Sequence, residues 1–304
     1  MASGVNDRYR RGSPSGSTRL AVIDAHAHLF TPSIMRSMAR RPQVLAELRL
    51  EVSVASARLD PAQLDRSAAE AGVRTCLLLP TAPPDGVEQA NELHRRAAAA
   101  HPRLVAASTL HPEMADLAAA IEAALARRPH TFKLSSFTQR FAPLGDAALA
   151  MFARIEEAGG RDGRRPVVVL DTYTRAADHF RCEQAHVTTP PRLARLVRTL
   201  PGIDWVGAHM GGLAADPDEL RRELSPAHNL YLDTSNAAHV LPGDAFVALL
   251  RDHGAGHVLF GTDWPWFGHG GEIPHIRALL ERAGFDEAER AGVFAGNASK
   301  LHGI

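Results

Sequence analysis

The chain has 304 residues, enough for one α/β barrel of about 250 residues or for two smaller domains. Its 34 lysines and arginines are balanced by 34 aspartates and glutamates, so no overall field favours nucleic acid or an anionic membrane. We therefore expect small molecules as partners, with no nucleic acid and no membrane. The two cysteines, Cys76 and Cys182, are far apart in sequence, which disfavours a disulfide framework and fits a cytoplasmic protein.

The first 18 residues differ in composition from the rest of the chain. Residues 1–18 are rich in Arg, Ser and Gly and lack the apolar core of a signal peptide, so we predict a disordered tail there. No apolar run approaches the ~18 residues that a membrane span needs. Residues 19–304 contain no linker and no internal repeat of solenoid length, so we predict one domain.

Short apolar runs alternate with segments of helical period, which is typical of parallel strands joined by crossover helices. We predict strands at 20–25, 73–79, 104–110, 131–134, 167–170, 203–208, 229–233 and 257–261. Helices are predicted at 61–71, 85–100, 114–127, 146–158, 191–200, 243–253 and 272–283. This order predicts an α/β fold, a closed (β/α)8 TIM barrel with a helical insertion at 31–56 after the first strand. The insertion is expected to act as a lid or as an oligomer contact.

The first strand ends in two histidines, in the run Val22-Ile-Asp-Ala-His-Ala-His28. Because side chains alternate along a strand, His26 and His28 are predicted to share one face, with Ala25 and Ala27 on the other. Two neighbouring imidazoles can chelate a metal, whereas two charged ones would repel each other. The spacing favours a metal or catalytic site over the alternative of polar residues at a strand exit.

Polar side chains also follow other predicted strands, where barrels of this kind place their active sites. They are Lys133, Asp171, His209 and Asp263. A lysine in an apolar strand can instead extend its amine to water, and an aspartate can cap the next helix. The recurrence of Lys133, His209 and Asp263 with the histidine pair predicts one axial pocket.

Several motifs together resemble the amidohydrolase superfamily, in the amidohydrolase-related branch that includes aminocarboxymuconate-semialdehyde decarboxylase, resorcylate-type decarboxylases and several hydrolases. The resemblance covers nearly the whole chain from Ala21. It rests on Asp24-Ala-His-Ala-His28, Phe132-Lys-Leu134, Gly207-Ala-His-Met-Gly-Gly212, Phe260-Gly-Thr-Asp-Trp264 and Gly296-Asn-Ala-Ser-Lys-Leu301.

The resemblance implies His26 and His28 as metal ligands, His209 as a catalytic histidine, and Asp263 as a residue that both contacts the metal and moves a proton. The sequence departs from the family at the end of strand five, where a ligand histidine is usual and Asp171 stands instead. Either Asp171 supplies an oxygen ligand, or the site has lost a ligand. The first alternative requires Asp171 to share the inward side of the strand with Val167 and Val169.

The resemblance implies a divalent cofactor, with zinc preferred. An oxygen ligand at Asp171 would favour manganese or magnesium, and a lactonase of this branch thought to work without metal provides the metal-free alternative. Family members often form dimers, so a homodimer is a further expectation.

The implied function is a metal-dependent hydrolase that acts on a small amide, lactone or ester. Alternatives are a decarboxylase of a small aromatic or unsaturated acid, a metal-independent lactonase, and a non-catalytic barrel that binds a small molecule. Arg140 and Arg175 follow strands four and five, where a guanidinium could hold a substrate carboxylate. Lys133 and Trp264 are further candidates for substrate contact, each with a structural role as the alternative.

Overall fold

The computed structural model describes residues 21–50, 60–161, 163 and 165–304. The tail predicted for residues 1–18 therefore lies outside the described residues, as do residues 51–56 of the predicted insertion. All the predicted strands and helices fall within the described ranges, apart from the first residue of the strand at 20–25.

The strands are short, and each pairs in parallel with its neighbours. They are β1 Val22–Ala27, β2 Val73–Leu78, β3 Leu104–Ala106, β4 Ser108–Thr109, β5 Thr131–Leu134, β6 Val167–Leu170, β7 Asp204–Gly207, β8 Leu230–Asp233 and β9 Val258–Leu259. They pair in the order β1-β2-β3 and, separately, β4 through β9. Because β3 and β4 are two halves of one segment broken at Ala107, these nine strands occupy the eight predicted positions.

The two sheets together form an α/β barrel whose strand ladder is interrupted at two points. One is the break at Ala107, where the segment changes partner from β2 to β5. The other lies between β9 and β1, where single backbone hydrogen bonds replace a continuous ladder. Ala25 N donates to Phe260 O at 2.9 Å, and Asp263 N donates to His26 O at 2.9 Å. These bonds bring the ends of the first and last strands together.

Helices follow the strands and cover the outside of the barrel. They are α1 Pro32–Ala39, α2 Pro42–Glu47, α3 Pro61–Ala71, α4 Val87–Ala100, α5 Leu117–Leu125, α6 Ser136–Gln139, α7 Asp146–Arg161, α8 Ala176–Phe180, α9 Pro190–Thr199, α10 Pro217–Glu223, α11 Ala237–Val240, α12 Gly243–His253, α13 His269–Ala283, α14 Glu287–Ala291 and α15 Asn297–His302. Helices α1 and α2 form the predicted insertion after the first strand. Helices α1 and α3 each begin with a proline at the first helical position. The side chain of the preceding residue caps the helix, Thr31 for α1 and Asp60 for α3. None of the helices in the described ranges is long and apolar enough to cross a membrane.

The core has an inner layer within the barrel and an outer layer between strands and helices. Alternation along β6 shows the division, because Val167 and Val169 pack in the inner layer, whereas Val168 and Leu170 pack in the outer one. Small residues from the C-terminal helix, including Ala298, join the inner layer. Parallel strands buried on both faces account for the near-continuous apolar runs in the sequence.

The prediction that Ala25 and Ala27 share one face of β1 is wrong. Side chains do not alternate regularly at the end of this strand. Ala25 belongs to the inner layer, whereas Ala27 packs in the outer layer, so the two alanines do not share a face. The pairing of β1 with β2 shifts register between Asp24 and Ala27. This irregularity lets the side chains of Ala25 and His26 both face the interior of the barrel, because a β-bulge changes the direction of the side chains that follow it.

Candidate active site

The ends of β1 and β9 bring two histidines and one carboxylate together. His26 Nε2 and His28 Nε2 lie 3.0 Å apart. Asp263 Oδ1 lies 3.8 Å from the former and 3.5 Å from the latter. His26 is fully buried, and the other two are more than nine-tenths buried. Among the described residues, these three form one of three groups whose ligand atoms lie within 4.8 Å of one another.

The hydrogen bonds of the two imidazoles leave both Nε2 atoms as acceptors. His28 Nδ1 lies 2.8 Å from the carbonyl oxygen of Leu79, and His26 Nδ1 lies 2.8 Å from Asp233 Oδ2. Because a carbonyl or carboxylate oxygen only accepts, each Nδ1 carries the hydrogen and each neutral ring presents a lone pair at Nε2. When both rings are neutral, two nitrogen lone pairs and a carboxylate oxygen therefore face one another without a hydrogen between them.

A proton on His26 does not relieve this repulsion near neutral pH. Burial lowers the pKa of His26 to about 4, although the carboxylate of Asp233 opposes the shift. Two imidazoles and one carboxylate are a usual ligand set for a catalytic zinc ion, and a divalent ion also accepts the same donors in other metalloenzymes. The donor set thus fits a divalent metal.

The second histidine centre lies at the end of β7. His209 Nε2 is 3.3 Å from Asp171 Oδ1, and His209 Nδ1 is 2.9 Å from the carbonyl oxygen of Ser235. Burial alone would lower the pKa of His209, but the hydrogen bond to Asp171 and the charges of Asp263, Asp171 and Asp233 raise it to about 9. His209 is therefore an imidazolium at neutral pH.

Asp171 points inward, on the same side of its strand as Val167 and Val169, which is the parity that a replacement for the missing histidine requires. Its carboxylate contacts His209 and accepts a hydrogen bond from Ser135 Oγ at 3.0 Å. It belongs to none of the three metal-competent groups among the described residues. In this structure Asp171 is a partner of His209, and its role as a metal ligand stays a prediction.

Lys133 is completely buried at the end of β5 and does not line the active-site cavity described below. Within the described part of the chain, its Nζ atom has no hydrogen-bond partner. Its charge acts on Asp171: burial alone would raise the pKa of that carboxyl, but Lys133 and His209 hold it well below its usual range. Lys133 thus supplies positive charge beneath the site.

Asp233 and Ser235, after β8, connect the two histidine centres. Asp233 Oδ1 accepts from His209 N at 3.0 Å, while its other oxygen holds His26. Ser235 Oγ lies 3.1 Å from His26 Nδ1 and 2.8 Å from His209 Nδ1. The sequence analysis missed both residues, although Asp233 ends a predicted strand and the rule applied to Asp171 and Asp263 would have found it.

Three residues at the mouth of the barrel have left-handed backbone conformations, which residues with side chains rarely adopt. The φ angles are 56° at His209, 56° at Asn236 and 58° at Asp263. Each such residue costs on the order of 1 kcal/mol or more, and strain of this kind concentrates at functional sites. Asn236 was also missed by the sequence analysis, and its buried Oδ1 has no partner within the described residues.

A cavity of about 300 Å3 opens above these groups. His28, Asp171, His209, Asn236 and Asp263 form its polar floor. Its walls are mainly apolar and aromatic, and include Phe30, Met38, Leu48, Phe137, Tyr173, Phe180 and Trp266. Helix α1 and the residues on either side of α2, Arg41 and Leu48, supply part of this wall, so the insertion covers the mouth of the barrel. A few convergent polar groups in an apolar pocket are typical of a small-molecule site.

Besides Lys133, three further residues predicted to contact substrate lie outside this cavity. Arg175 pairs with Glu47 at 2.9 Å and with Asp178 at 3.2 Å, so neighbouring carboxylates occupy its guanidinium. Trp264 stacks on His269 at a ring distance of 5.6 Å, behind the strand ends. Arg140 lines a neighbouring groove instead.

A family model described as amidohydrolase matches residues 23–304, which is nearly the whole chain. The chain belongs to the amidohydrolase family. This agrees with the motifs on which the resemblance rested, and it places the histidine pair near the start of the matched region. A comparison of this amidohydrolase with curated protein sequences finds no match.

Solved structures of similar fold include a probable 2-pyrone-4,6-dicarboxylic acid hydrolase from Acinetobacter baumannii, with 15% identity, a TM-score of 0.60 and coverage of 93% of this chain and 99% of that one. An amidohydrolase from Burkholderia multivorans with bound zinc has 15% identity, a TM-score of 0.66 and coverage of 93% and 99%. A 5-carboxyvanillate decarboxylase from Novosphingobium aromaticivorans with bound manganese has 16% identity, a TM-score of 0.65 and coverage of 95% and 99%. At these identities the comparisons establish a shared TIM-barrel fold for the amidohydrolase described here.

Proposed function

We propose that this amidohydrolase is a metal-dependent hydrolase of a small carbonyl compound, an amide, lactone or ester, and that His26, His28 and Asp263 hold the metal. The observation that carries the proposal is the convergence of two imidazole lone pairs and one carboxylate oxygen with no hydrogen between them. Such a group of acceptors is unfavourable until a cation joins it. Zinc is the preferred ion because of the imidazole ligands, and manganese is the alternative.

A divalent ion at this position supplies Lewis-acid chemistry, since it polarises a carbonyl oxygen and makes water more acidic. Asp263 is the proposed general base, because its carboxylate adjoins both imidazoles and also lines the cavity. There it can accept a proton from the attacking water and pass it to the leaving group. The buried surroundings strengthen its interaction with charge that develops in the reaction.

His209 is the proposed electrophilic residue. Its imidazolium faces the cavity, and Asp171 keeps it protonated near neutral pH. A positive charge at this position stabilises the negative charge that develops on the carbonyl oxygen during water attack. The hydrogen bond to the Ser235 carbonyl fixes the ring while the substrate reacts.

The cavity indicates a small, largely apolar substrate with one polar end. Its floor carries the reactive groups, and its walls present the faces of Phe30, Phe137, Tyr173 and Trp266. A planar ring fits between such side chains at little cost in solvation. The free Oδ1 of Asn236 can accept a hydrogen bond from a substrate hydroxyl or amide.

Decarboxylation is the second candidate, and the aromatic lining of the cavity favours it. A structural neighbour with manganese is a 5-carboxyvanillate decarboxylase. In that reaction the same residues would hold a substrate carboxylate, and His209 would donate a proton to the carbon that loses carbon dioxide. A metal-independent lactonase and a non-catalytic binding barrel predict a protein without stoichiometric metal.

One experiment on two compounds tests the proposal. The protein, produced with added zinc or manganese, is assayed for metal content and then incubated in 18O-water with 2-pyrone-4,6-dicarboxylate and with 5-carboxyvanillate. We expect about one metal ion per chain and incorporation of one 18O atom into a product acid. Release of carbon dioxide without 18O incorporation would favour the decarboxylase.

The matched variants are His28→Ala, which removes a proposed ligand, and His228→Ala, which removes an exposed histidine outside the site. We expect the first to lose the metal and the second to retain it. Equal metal content in both variants, or none in the unaltered protein, would overturn metal dependence.

A further inference from the structure

A second, larger groove adjoins the active-site cavity and carries an excess of positive charge. It has a volume of about 1000 Å3 and lies beside α1, α2 and the end of α8. Five arginines line it and a single carboxylate, Asp178, opposes them; the arginines are Arg36, Arg40, Arg41, Arg140 and Arg181. Since the whole chain has balanced charge, this local excess is a specific feature of the groove.

What marks the groove is that five arginines without a carboxylate partner among the described residues line one surface. Within the described ranges, no ion pair joins any of the five to an acidic side chain. Some arginines elsewhere do have such a partner, as Arg161 has in Glu122 and Arg221 in Asp252. The carboxylate of Asp178 itself is engaged by Arg175 at 3.2 Å. The groove therefore presents guanidinium groups that are available to an external anion.

Two of these arginines lie at positions where the backbone favours glycine. Arg140 follows α6 with a φ of 61°, and Arg181 follows α8 with a φ of 52°. Glycine usually ends a helix in this conformation because it avoids the strain. Arginine at both positions, in the lining of one groove, indicates that the side chains have a use that offsets the strain.

The groove is continuous with the active-site cavity. Ser37, Arg41 and Phe180 line both of them. The Arg41 guanidinium lies over the Phe180 ring at 5.0 Å and donates to the carbonyl oxygen of His179. One extended molecule can thus place a reactive end in the cavity and an anionic end among the arginines.

We infer that the groove binds a phosphate monoester or diphosphate group at the far end of the substrate whose carbonyl end enters the cavity. A single carboxylate is satisfied by one bidentate guanidinium, whereas a phosphate or diphosphate carries two or more charges and accepts from several guanidinium groups at once. Five arginines match the larger charge, and within the described residues only Arg41 of the five is engaged, by a backbone carbonyl and an aromatic ring. The inference rests on the proposed function for the reactive end of the substrate, but the anion site itself is testable by binding alone.

Calorimetric titration of the full chain with inorganic pyrophosphate, and in parallel with glutarate as a dicarboxylate, tests the inference. We expect pyrophosphate to bind more tightly than glutarate. The Arg140→Gln/Arg181→Gln double variant should bind pyrophosphate at least tenfold more weakly. Arg36→Gln/Arg40→Gln, which alters only exposed side chains of the groove, should also weaken binding and covers the case in which the first double variant fails to fold.

The control is Arg195→Gln/Arg198→Gln, two exposed arginines of α9 outside the groove, which should bind like the unaltered protein. His28→Ala separates binding at the arginines from chelation of the metal by pyrophosphate, and we expect it to retain the groove affinity. Loss of binding in His28→Ala with retention in both groove variants would overturn the inference. So would tighter binding of glutarate than of pyrophosphate. A failure of hydrolysis leaves these binding outcomes unaffected, so the two proposals fail separately.

Discussion

Asp171 and His209 form a largely buried pair, with Oδ1 and Nε2 3.3 Å apart, at the strand end where the sequence resemblance implied a ligand histidine. The carboxylate and the imidazole stabilise each other's charged forms, so the pKa of Asp171 is lowered while that of His209 is raised to about 9. This barrel therefore holds a fixed positive charge at His209, above a buried Lys133.

The first prediction concerns this pair. In Asp171→Asn the amide fills the same volume but carries no charge, so the pKa of His209 should fall from about 9 toward its ordinary value near 6.5. Because the imidazolium is lost as pH rises through its pKa, the alkaline limb of kcat/KM should move to lower pH. Titration of the His209 ring by NMR measures the shift directly. An unchanged His209 titration would show that Asp171 does not control its charge.

The second prediction concerns the proposed base. Asp263→Asn should reduce turnover by roughly 10²- to 10⁴-fold, since an amide accepts no proton at this position. Circular dichroism should show an intact fold because the volume is conserved. A matched substitution is Asp244→Asn, whose carboxylate is exposed and lies outside both the cavity and the arginine groove. Retention of more than about a tenth of the rate in Asp263→Asn would contradict general-base catalysis.

The third prediction uses a close approach between two strands. A Cβ atom on Gly261 would lie 2.7 Å from His26 Cβ and 3.3 Å from Ser235 Cβ. Because both neighbours are fixed to the backbone, Gly261→Ala should displace His26 and weaken metal binding at least tenfold, as measured by competition with a chelator.

The control for that variant is Gly270→Ala in α13, where an added Cβ meets nothing within 4 Å. It should leave metal affinity unchanged and stabilise the helix by about 0.5–1 kcal/mol. Equal metal affinity in the two glycine variants would show that the approach at Gly261 does not position the ligand.

The fourth prediction concerns acid stability. His302 on α15 is buried, its Nδ1 lies 2.8 Å from Thr131 Oγ1, and burial lowers its pKa to about 4. The unfolded chain binds this proton near pH 6.5, so the contribution of His302 to stability is present above pH 6.5. It is lost at about 1.4 kcal/mol per pH unit as the pH falls toward 4.

His302→Gln should therefore reduce the slope of unfolding free energy against pH between 6.5 and 4, as measured by denaturant titration. Some slope should remain, because burial also lowers the pKa of His253 to about 4. The exposed His228→Gln is the control and should keep the original slope. An unaltered slope in His302→Gln would contradict the prediction.

Local pattern was sufficient for the order of strands and helices and for the end of the barrel that carries the polar residues. Apolar runs buried on both faces and helical periods between them predicted each strand position. Parallel strands that close on themselves bring their carboxyl ends to one rim, so His26, His28, His209 and Asp263 had to meet. Alternation along the strand permitted either parity for Asp171, and the structure decided for the inward one.

Only the tertiary structure decided which partner each polar group finds. Asp233 holds His26 across 207 residues of sequence, and Glu47 occupies the guanidinium of Arg175 across 128. Such pairs depend on strand register and on the path of the insertion, which no local period encodes. The irregular register near Ala25 is a further case, since a bulge depends on how β1 meets its neighbours and not on alternation within it. The unpaired arginines of the groove come from three separate segments, and only the fold places them side by side.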